Sequence, residues 1–281
     1  MPPGSSPRFW QQRIERAQKL SADYPFAAEI LRFYIRILGF QRDFYGRIES
    51  ACGPARAAGP AGCLRNELDL ILLLPSFRPF LNLVEQDAPA PLAAAARALS
   101  AQDTQSYAML LSDWWSSPPG SAGVAEGASP EDERMRFCAR AFLEPYAEYL
   151  AKHTPPPAIE STPSVCPLCS SRPLLGVLRI EGDGGKRFLL CSFCLQEWEY
   201  RRILCPTCGE EAENKLPVYI AEQFPHIRVE ACDTCKFYLR TVDLTKDGHA
   251  VPLVDDLSAM PLSLWAEQNG YKRVQGNLLG T

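Results

Sequence analysis

The stretch CSFCLQEWEYRRILCPTC, residues 191–208, contains two C-x-x-C pairs separated by ten residues. A third pair, CPLC, lies upstream at Cys166 and Cys169, and a fourth, CDTC, lies downstream at Cys232 and Cys235. Eight of the eleven cysteines therefore occur in four C-x-x-C pairs. In a reducing compartment such a regular pattern is typical of metal binding rather than of disulfides.

The region around these pairs is an internal repeat. Cys166 and Cys205 are 39 residues apart, and Cys191 and Cys232 are 41 residues apart. Each copy consists of a cysteine pair, two β-type runs and a second cysteine pair. The predicted strands are 174–180, 186–190, 215–220 and 226–231. Glycines in the segment 182–185 indicate a hairpin turn, and no Lys-Ser/Thr follows them as in a phosphate-binding loop.

Each predicted hairpin brings its two cysteine pairs together, so that four thiolates form a tetrahedral cage suited to zinc or to rubredoxin-type iron. The first set of ligands is Cys166, Cys169, Cys191 and Cys194, and the second is Cys205, Cys208, Cys232 and Cys235. A cross-braced arrangement, joining the first pair to the third, is the alternative. Four protein ligands leave no open position on the metal, which favours a structural role over a catalytic one.

The sequence predicts an α+β protein, in which an N-terminal α-helical domain precedes two tandem rubredoxin-like or zinc-ribbon metal modules and a C-terminal helix. The proline-rich segment TPPPAIESTPS marks the domain boundary, because prolines disfavour helix and suit a spacer. The predicted divisions are a helical domain 1–155, a linker 156–164, metal modules 165–200 and 201–245, and a C-terminal extension 246–281.

Helical periodicity covers most of the first domain. Phe26, Ile30, Phe33, Ile37 and Phe40 form one apolar stripe on a helix that ends near Ile48. SPEDE predicts a capped start for a helix from Pro130 to Lys152. Further predicted helices are 65–74, 78–86, 91–99, 103–115 and 261–269.

Charge and apolar patterning limit the function classes. The formal net charge is −4, and residues 164–241 contain ten basic and ten acidic side chains. Phosphate binding needs concentrated positive charge, so we expect no nucleic acid partner. The most apolar run, Leu68–Leu74, contains Asp69 and is too short to span a membrane, and the first ten residues lack a secretory signal. These features predict a cytoplasmic protein without a transmembrane segment.

Other residues have structural interpretations. We expect Trp198 to pack between the ribbons, with a partner-binding anchor as the alternative, and Arg201 and Arg202 to be solvated or to balance the cage charge. The remaining cysteines, Cys52, Cys63 and Cys138, resemble small buried hydrophobes. His153, His226 and His249 form no metal constellation of their own, and His226 is expected to be structural. Asp255 and Asp256 suggest a cap or a solvated turn, with an exposed acidic contact as the alternative.

Four motifs, in order, carry a family resemblance: CPLC, RFLLCSFCLQEWEYRRILCPTC, VEACDTCKFYLR and VDDLSAMPLSLWAEQNGYKR. They resemble the formate dehydrogenase accessory protein family, FdhE, over residues 166–273. The resemblance implies a non-enzymatic cytoplasmic maturation factor for respiratory formate dehydrogenase that contacts the catalytic subunit of that enzyme. It also implies two iron ions, with zinc as the alternative, each held by four of the eight cysteines named above.

Two other function classes stay open at this point. A four-thiolate iron centre also suits a rubredoxin-like electron carrier or a thiol oxidoreductase, although a large helical domain exceeds what a simple carrier needs. A nucleic-acid-binding zinc protein is the third class, and the even charge count argues against it. The sequence does not determine the oligomeric state.

Overall fold

The computed structural model describes residues 8–52, 64–116, 129–155, 162–181 and 184–280. The chain divides into two compact units, residues 1–155 and 156–281. The first unit is helical, and the second contains a β-sheet and two four-cysteine clusters. This arrangement confirms the predicted α+β class.

Six α-helices form the described part of the first unit: α1 (Arg8–Asp23), α2 (Ala28–Cys52), α3 (Leu70–Asp87), α4 (Ala90–Ser100), α5 (Thr104–Ser116) and α6 (Pro130–His153). Helix α6 packs against α2, α3, α4 and α5, and every residue from Cys138 to Ala151 on it is buried. Phe142 of α6 stacks on Phe44 of α2, with ring centroids 4.8 Å apart, and lies 4.9 Å from the ring of Phe77 on α3. These aromatic contacts place α6 in the core of the unit.

The predicted start of α6 is confirmed. The hydroxyl of Ser129 accepts a hydrogen bond from the amide of Asp132 at 3.1 Å. In return, the carboxylate of Asp132 accepts one from the amide of Ser129, also at 3.1 Å. This reciprocal capping box satisfies amides that have no partner within the helix, and Pro130 fits the first turn.

Two predictions in the helical unit are wrong. The segments 65–74 and 78–86 are not separate helices, because α3 runs through Pro75 and Pro79. The stripe of buried residues on α3 continues across both prolines, so packing outweighs the loss of two backbone donors. Phe26 is not part of the α2 stripe: it is 54% exposed in a short 3₁₀ turn that begins at Pro25. None of the described helices is both long enough and apolar enough to cross a membrane.

The described part of the second unit contains one sheet of seven strands: β1 (Pro173–Glu181), β2 (Gly184–Cys191), β3 (Glu197–Glu199), β4 (Val218–Ile220), β5 (Ile227–Ala231), β6 (Phe237–Asp243) and β7 (Lys272–Arg273). The strand order is β3-β2-β1-β6-β5-β4, and β7 pairs with β6. The two predicted hairpins are confirmed as the antiparallel pairs β1–β2 and β4–β5. Strands β3, β6 and β7 were not predicted.

The two hairpins belong to one continuous sheet rather than to two separate sheets. Strand β6 pairs antiparallel with β5 and parallel with β1, so it connects the two repeats. In the parallel pairing, Gly176 of β1 lies opposite Thr241 of β6. Both repeats therefore hold their cysteine pairs on one shared framework.

Two helices follow the sheet, α7 (Pro252–Ser258) and α8 (Met260–Gln268), and α8 matches the predicted C-terminal helix. The expectation of a solvated turn or an exposed contact at Asp255 and Asp256 is wrong, because both side chains are fully buried in α7. The expected cap is confirmed for Asp255, whose Oδ2 accepts a hydrogen bond from the amide of Val251 at the start of α7, at 2.7 Å. Asp256 lies 2.8 Å from the guanidinium of Arg240 and accepts hydrogen bonds from Arg273 at 2.8 Å. Burial opposes ionisation, but these two arginines hold the pKa of Asp256 below its ordinary value. The ion cluster joins α7 to β6 and to the residues after α8.

Candidate metal centres

The first cysteine cluster lies at the end of the β1–β2 hairpin and is closed to solvent. The Sγ atoms of Cys166 and Cys194 are 3.6 Å apart, and those of Cys169 and Cys191 are 3.4 Å apart. All four sulfur atoms lie within 4.8 Å of one another, and no side chain in the set is more than 2% exposed.

The second cluster has the same plan but is more open. The Sγ atoms of Cys205 and Cys235 are 3.7 Å apart, and those of Cys208 and Cys232 are 3.6 Å apart. The four sulfur atoms again lie within 4.8 Å of one another. Cys208 is exposed and Cys235 is partly exposed, whereas the other two cysteines are buried.

The sulfur spacing fits a tetrahedral metal ion. Zinc–thiolate bonds of about 2.3 Å place neighbouring sulfur atoms of a tetrahedron about 3.8 Å apart. The close pairs in both clusters, at 3.4–3.7 Å, lie near that edge length. Each cluster is formed by the two cysteine pairs of one hairpin, which is not the cross-braced arrangement. Both clusters can hold a metal ion.

A repeated backbone turn shapes each C-x-x-C pair. The residue after the second cysteine has a left-handed backbone in all four turns: Ser170 (φ 59°), Leu195 (φ 57°), Gly209 (φ 76°) and Lys236 (φ 59°). In each turn the amide of the first cysteine donates to a carbonyl five residues later, at 2.8–2.9 Å: Ser171, Gln196, Glu210 and Phe237. The chain therefore reverses around the thiols in the same way four times. The sequence analysis missed this feature, for which the glycine in CPTCG was the available signal.

Backbone amides point at the sulfur atoms inside these turns. The amides of Phe193 and Cys194 lie 3.3 and 3.5 Å from Sγ of Cys191. The amide of Thr207 lies 3.4 Å from Sγ of Cys205. Four thiolates around a divalent ion carry a net charge near −2, and such amide donors stabilise that charge without a cationic side chain.

The thiols of the first cluster differ in how easily they ionise. Hydrogen bonds from Cys166, Cys191 and Cys194 lower the pKa of Cys169 well below its ordinary value. Burial instead raises the pKa of Cys191 and Cys194. Cys169 therefore ionises more readily than Cys191 and Cys194, which keep their protons when no metal is bound. Metal binding must release these protons, which makes metal affinity depend on pH.

Four basic side chains near the clusters in sequence, including Arg201 and Arg202, have carboxylate partners or face solvent. Lys186 pairs with Glu181 at 2.9 Å and Glu199 at 3.4 Å. Arg187 is buried and pairs with Glu230 at 2.7 Å, and Arg201 pairs with Glu211 at 2.7 Å. Arg202 is exposed. Carboxylates thus compensate the charge of three of these cations. The thiolate charge of the clusters is stabilised by the backbone amides described above.

Several other sequence candidates have structural roles. The indole of Trp198 is buried and donates to the carbonyl of Pro163 at 2.9 Å, so it is not an exposed anchor. Cys138 is fully buried, and burial raises the pKa of its thiol to about 12. Cys52 is partly buried. Cys63, Gly182 and Asp183 lie outside the described residues.

His153 and His226 make hydrogen bonds within their own units. The Nδ1 atom of His153 lies 2.8 Å from the carbonyl oxygen of Tyr149. The Nε2 atom of His226 lies 2.8 Å from Oδ1 of the buried Asp255. His249 is exposed. His226 therefore belongs to a polar cluster that the sequence analysis did not foresee.

Two family models match the part of the chain that contains both clusters. The model described as FdhE, central domain, matches residues 165–202, and the one described as FdhE, C-terminal domain, matches residues 203–279. The chain belongs to the FdhE family. The resemblance stated from the cysteine motifs is therefore confirmed. The first match contains the first cluster, and the second match contains the second cluster.

Relatives that are named as FdhE homologues are also similar to this chain in sequence. A "Protein FdhE homolog" of Aquifex aeolicus is 27% identical over 280 residues, covering 95% of this chain and 94% of the relative. Homologues of the same name from Haemophilus ducreyi and Pseudomonas aeruginosa are 32% and 36% identical. Those alignments cover 45% and 41% of this chain, and 41% and 39% of the relatives.

A solved structure has the same fold. The crystal structure of the FdhE protein from Pseudomonas aeruginosa matches with a TM-score of 0.67 at 23% identity. The match covers 99% of this chain and 98% of that chain. The helical unit, which carries no sharp sequence motif, thus also has a counterpart in an FdhE structure.

Proposed function

We propose that this FdhE-family protein is a cytoplasmic accessory factor required for active respiratory formate dehydrogenase, and that it binds the catalytic subunit of that enzyme. The observation that carries the proposal is the pair of four-thiol clusters in the part of the chain that the FdhE models match. In this proposal the protein is not an enzyme. It acts by binding one state of its client more tightly than another.

The proposal includes one metal ion in each cluster, iron in the cell or zinc as the alternative. The ligands are Cys166, Cys169, Cys191 and Cys194 in the first site, and Cys205, Cys208, Cys232 and Cys235 in the second. Iron would supply one-electron redox chemistry, and zinc would supply a cross-link without redox change. The turn amides hold the thiolates in position for either metal.

The first test is capture of the client. The tagged full-length protein is purified without oxygen from cells that make formate dehydrogenase, and co-purifying proteins are quantified by mass spectrometry. We expect the catalytic subunit to be enriched with the wild type and with Cys52→Ser, a control outside both clusters. If the wild type recovers no more catalytic subunit than an untagged strain does, the partner assignment is wrong. Metal analysis of the same sample reports the number of bound ions independently.

One observation favours a second function, an electron carrier or thiol oxidoreductase. Cys208 is exposed, so the second cluster can meet a redox partner more directly than the first. This function predicts reversible reduction and oxidation of the metal or thiols, with turnover against an electron donor and acceptor. Protein that binds two zinc ions, shows no redox change and still captures the catalytic subunit would reject it.

A further inference from the structure

A third group of metal-ligating side chains lies outside both cysteine clusters. Ligand atoms of His226, Asp247 and Asp255 all lie within 4.8 Å of one another. The three residues come from separate segments of the second unit: the turn before β5, the loop after β6, and helix α7. Asp255 is fully buried, His226 is 8% exposed and Asp247 is partly exposed. The group is therefore an enclosed mixed nitrogen and oxygen set, not an acidic patch on the surface.

The backbone fixes the position of each side chain in this group. Oδ2 of Asp255 accepts a hydrogen bond from the amide of Val251 at 2.7 Å, while its Oδ1 faces His226. Oδ1 of Asp247 accepts from the amide of His249 at 2.9 Å. The carbonyl of His226 accepts from the amide of Asp243 at 2.8 Å, which ties the histidine backbone to the end of β6.

The spacing between His226 and Asp255 also fits a metal ion. Metal–nitrogen and metal–oxygen bonds of about 2.1 Å place adjacent ligands about 3.0 Å apart in an octahedron and about 3.4 Å apart in a tetrahedron. The observed distance from Nε2 to Oδ1 is 2.8 Å, closer to the octahedral value. A neutral imidazole with two carboxylates carries a charge of −2, which matches a divalent cation.

We propose that His226, Asp247 and Asp255 bind a divalent cation of six-coordinate preference, of the manganese(II) or iron(II) class. Imidazole and carboxylate ligands suit these ions, whereas the thiolate cages favour softer metal ions. Three protein ligands would leave further positions for water or for a group from a partner. The site is separate from the cysteine clusters and does not depend on the client assignment.

The competing explanation is an ion pair between a protonated His226 and the carboxylate of Asp255. It accounts for the same 2.8 Å distance without a metal. The two explanations differ in one measurable property: only the first predicts stoichiometric binding of a hard cation. Mn²⁺ is a suitable probe, because it is paramagnetic and competes poorly with zinc for thiolate cages.

The experiment is a Mn²⁺ titration of the full-length protein, with its cysteine clusters first loaded with zinc. Free Mn²⁺ is followed by electron paramagnetic resonance. We expect one bound Mn²⁺ per chain in the wild type, and an affinity lower by ~10-fold or more in Asp247→Asn and Asp255→Asn. Glu267→Gln is the control, because it removes one negative charge from an exposed position on α8, outside the proposed site. That variant should bind Mn²⁺ as the wild type does.

The proposal is overturned if the wild type binds no Mn²⁺ at millimolar free ion, or if both variants bind it with unchanged affinity. Each variant must retain two zinc ions per chain, which reports that the second unit is folded. Asp247 is partly exposed, so its variant provides a decisive comparison even if the buried change at Asp255 prevents folding.

Discussion

Gly176 and Thr241 meet where the two repeats of the metal-binding unit join. They lie opposite each other in the parallel pairing of β1 and β6. A β-carbon on Gly176 would come within 2.3 Å of Oγ1 and within 3.2 Å of Cβ and Cγ2 of Thr241, which is fully buried. The join between the repeats therefore depends on a glycine at this position.

Gly176→Ala should destabilise the second unit, because the added methyl group overlaps Thr241. We expect the free energy of unfolding to fall by about 1–3 kcal/mol, as for other overpacked sites. In a double-mutant cycle, Gly176→Ala/Thr241→Ala should lose less stability than the sum of the single variants, since it removes Oγ1. Chemical denaturation of the zinc-loaded protein measures all four variants of the cycle. Strictly additive effects would show that the contact does not limit the packing.

The two clusters should lose metal at different rates, because one is closed and the other is open. Cys208 is exposed, whereas the first cluster is buried throughout. We expect a small chelator to remove zinc in two phases of equal amplitude, the faster one from the second cluster. Absorbance of a zinc-sensitive dye follows the release. Cys208→Ser should affect only the fast phase, and Cys191→Ser only the slow one. A single phase for the wild type would contradict the assignment.

Gly209 and Lys236 occupy equivalent left-handed positions after the second cysteine of a pair, but substitution should cost more stability at Gly209 than at Lys236. A β-carbon built on Gly209 has no neighbour within 4 Å in the described part of the chain, so Gly209→Ala tests backbone conformation alone. We expect a loss of about 1–2 kcal/mol. Lys236→Gly relieves the same strain but makes the unfolded chain more flexible, so its net effect should be within about 1 kcal/mol of zero. Denaturation curves of both variants provide the comparison, and equal losses would contradict it.

The parts of the fold that sequence could predict are those encoded locally. Each C-x-x-C pair stands beside a β-type run, so the hairpins and the capped start of α6 follow from residues a few positions apart. Strand β6 was missed because its buried residues include the charged Arg240 and Asp243, which are not typical of a strand core. The buried charge of Arg240 is compensated by an ion pair with Asp256.

The cluster at His226 was also missed because residues far apart in the sequence form it. Its partners Asp247 and Asp255 are 21 and 29 residues away, and no regular spacing connects them. The acids of VDDLS look like a solvated turn because a lone sequence shows neither burial nor partners. A repeated cysteine spacing predicts a metal site from the sequence alone. A mixed histidine and aspartate group can be recognised only in the folded structure, where its side chains lie close together.

Two buried glutamates on α6, one turn apart, have pKa values that are shifted in opposite directions. Glu148 accepts two hydrogen bonds of 2.8 Å from Arg13 and pairs with Lys152 at 2.9 Å. Burial opposes ionisation of Glu148, but these cations lower its pKa. Burial raises the pKa of Glu144 to about 7, because Arg140 and Arg13 offset only part of the lost hydration. Among the residues that the structure describes, the buried Oε1 atom of Glu144 has no hydrogen-bond partner.

Glu144→Gln should therefore stabilise the helical unit at alkaline pH. A raised pKa means that the folded state binds the proton more tightly, so wild-type stability falls as pH rises from the unfolded value of 4.5 through about 7. Between about pH 5 and pH 8, the stability of Glu144→Gln relative to the wild type should rise by about 2–3 kcal/mol. Denaturation followed by circular dichroism at both pH values measures the difference. Glu148→Gln is the matched control, and it should destabilise at both pH values because it leaves Arg13 buried without its carboxylate. An unchanged difference for Glu144→Gln between the two pH values would show that Glu144 does not titrate in this range.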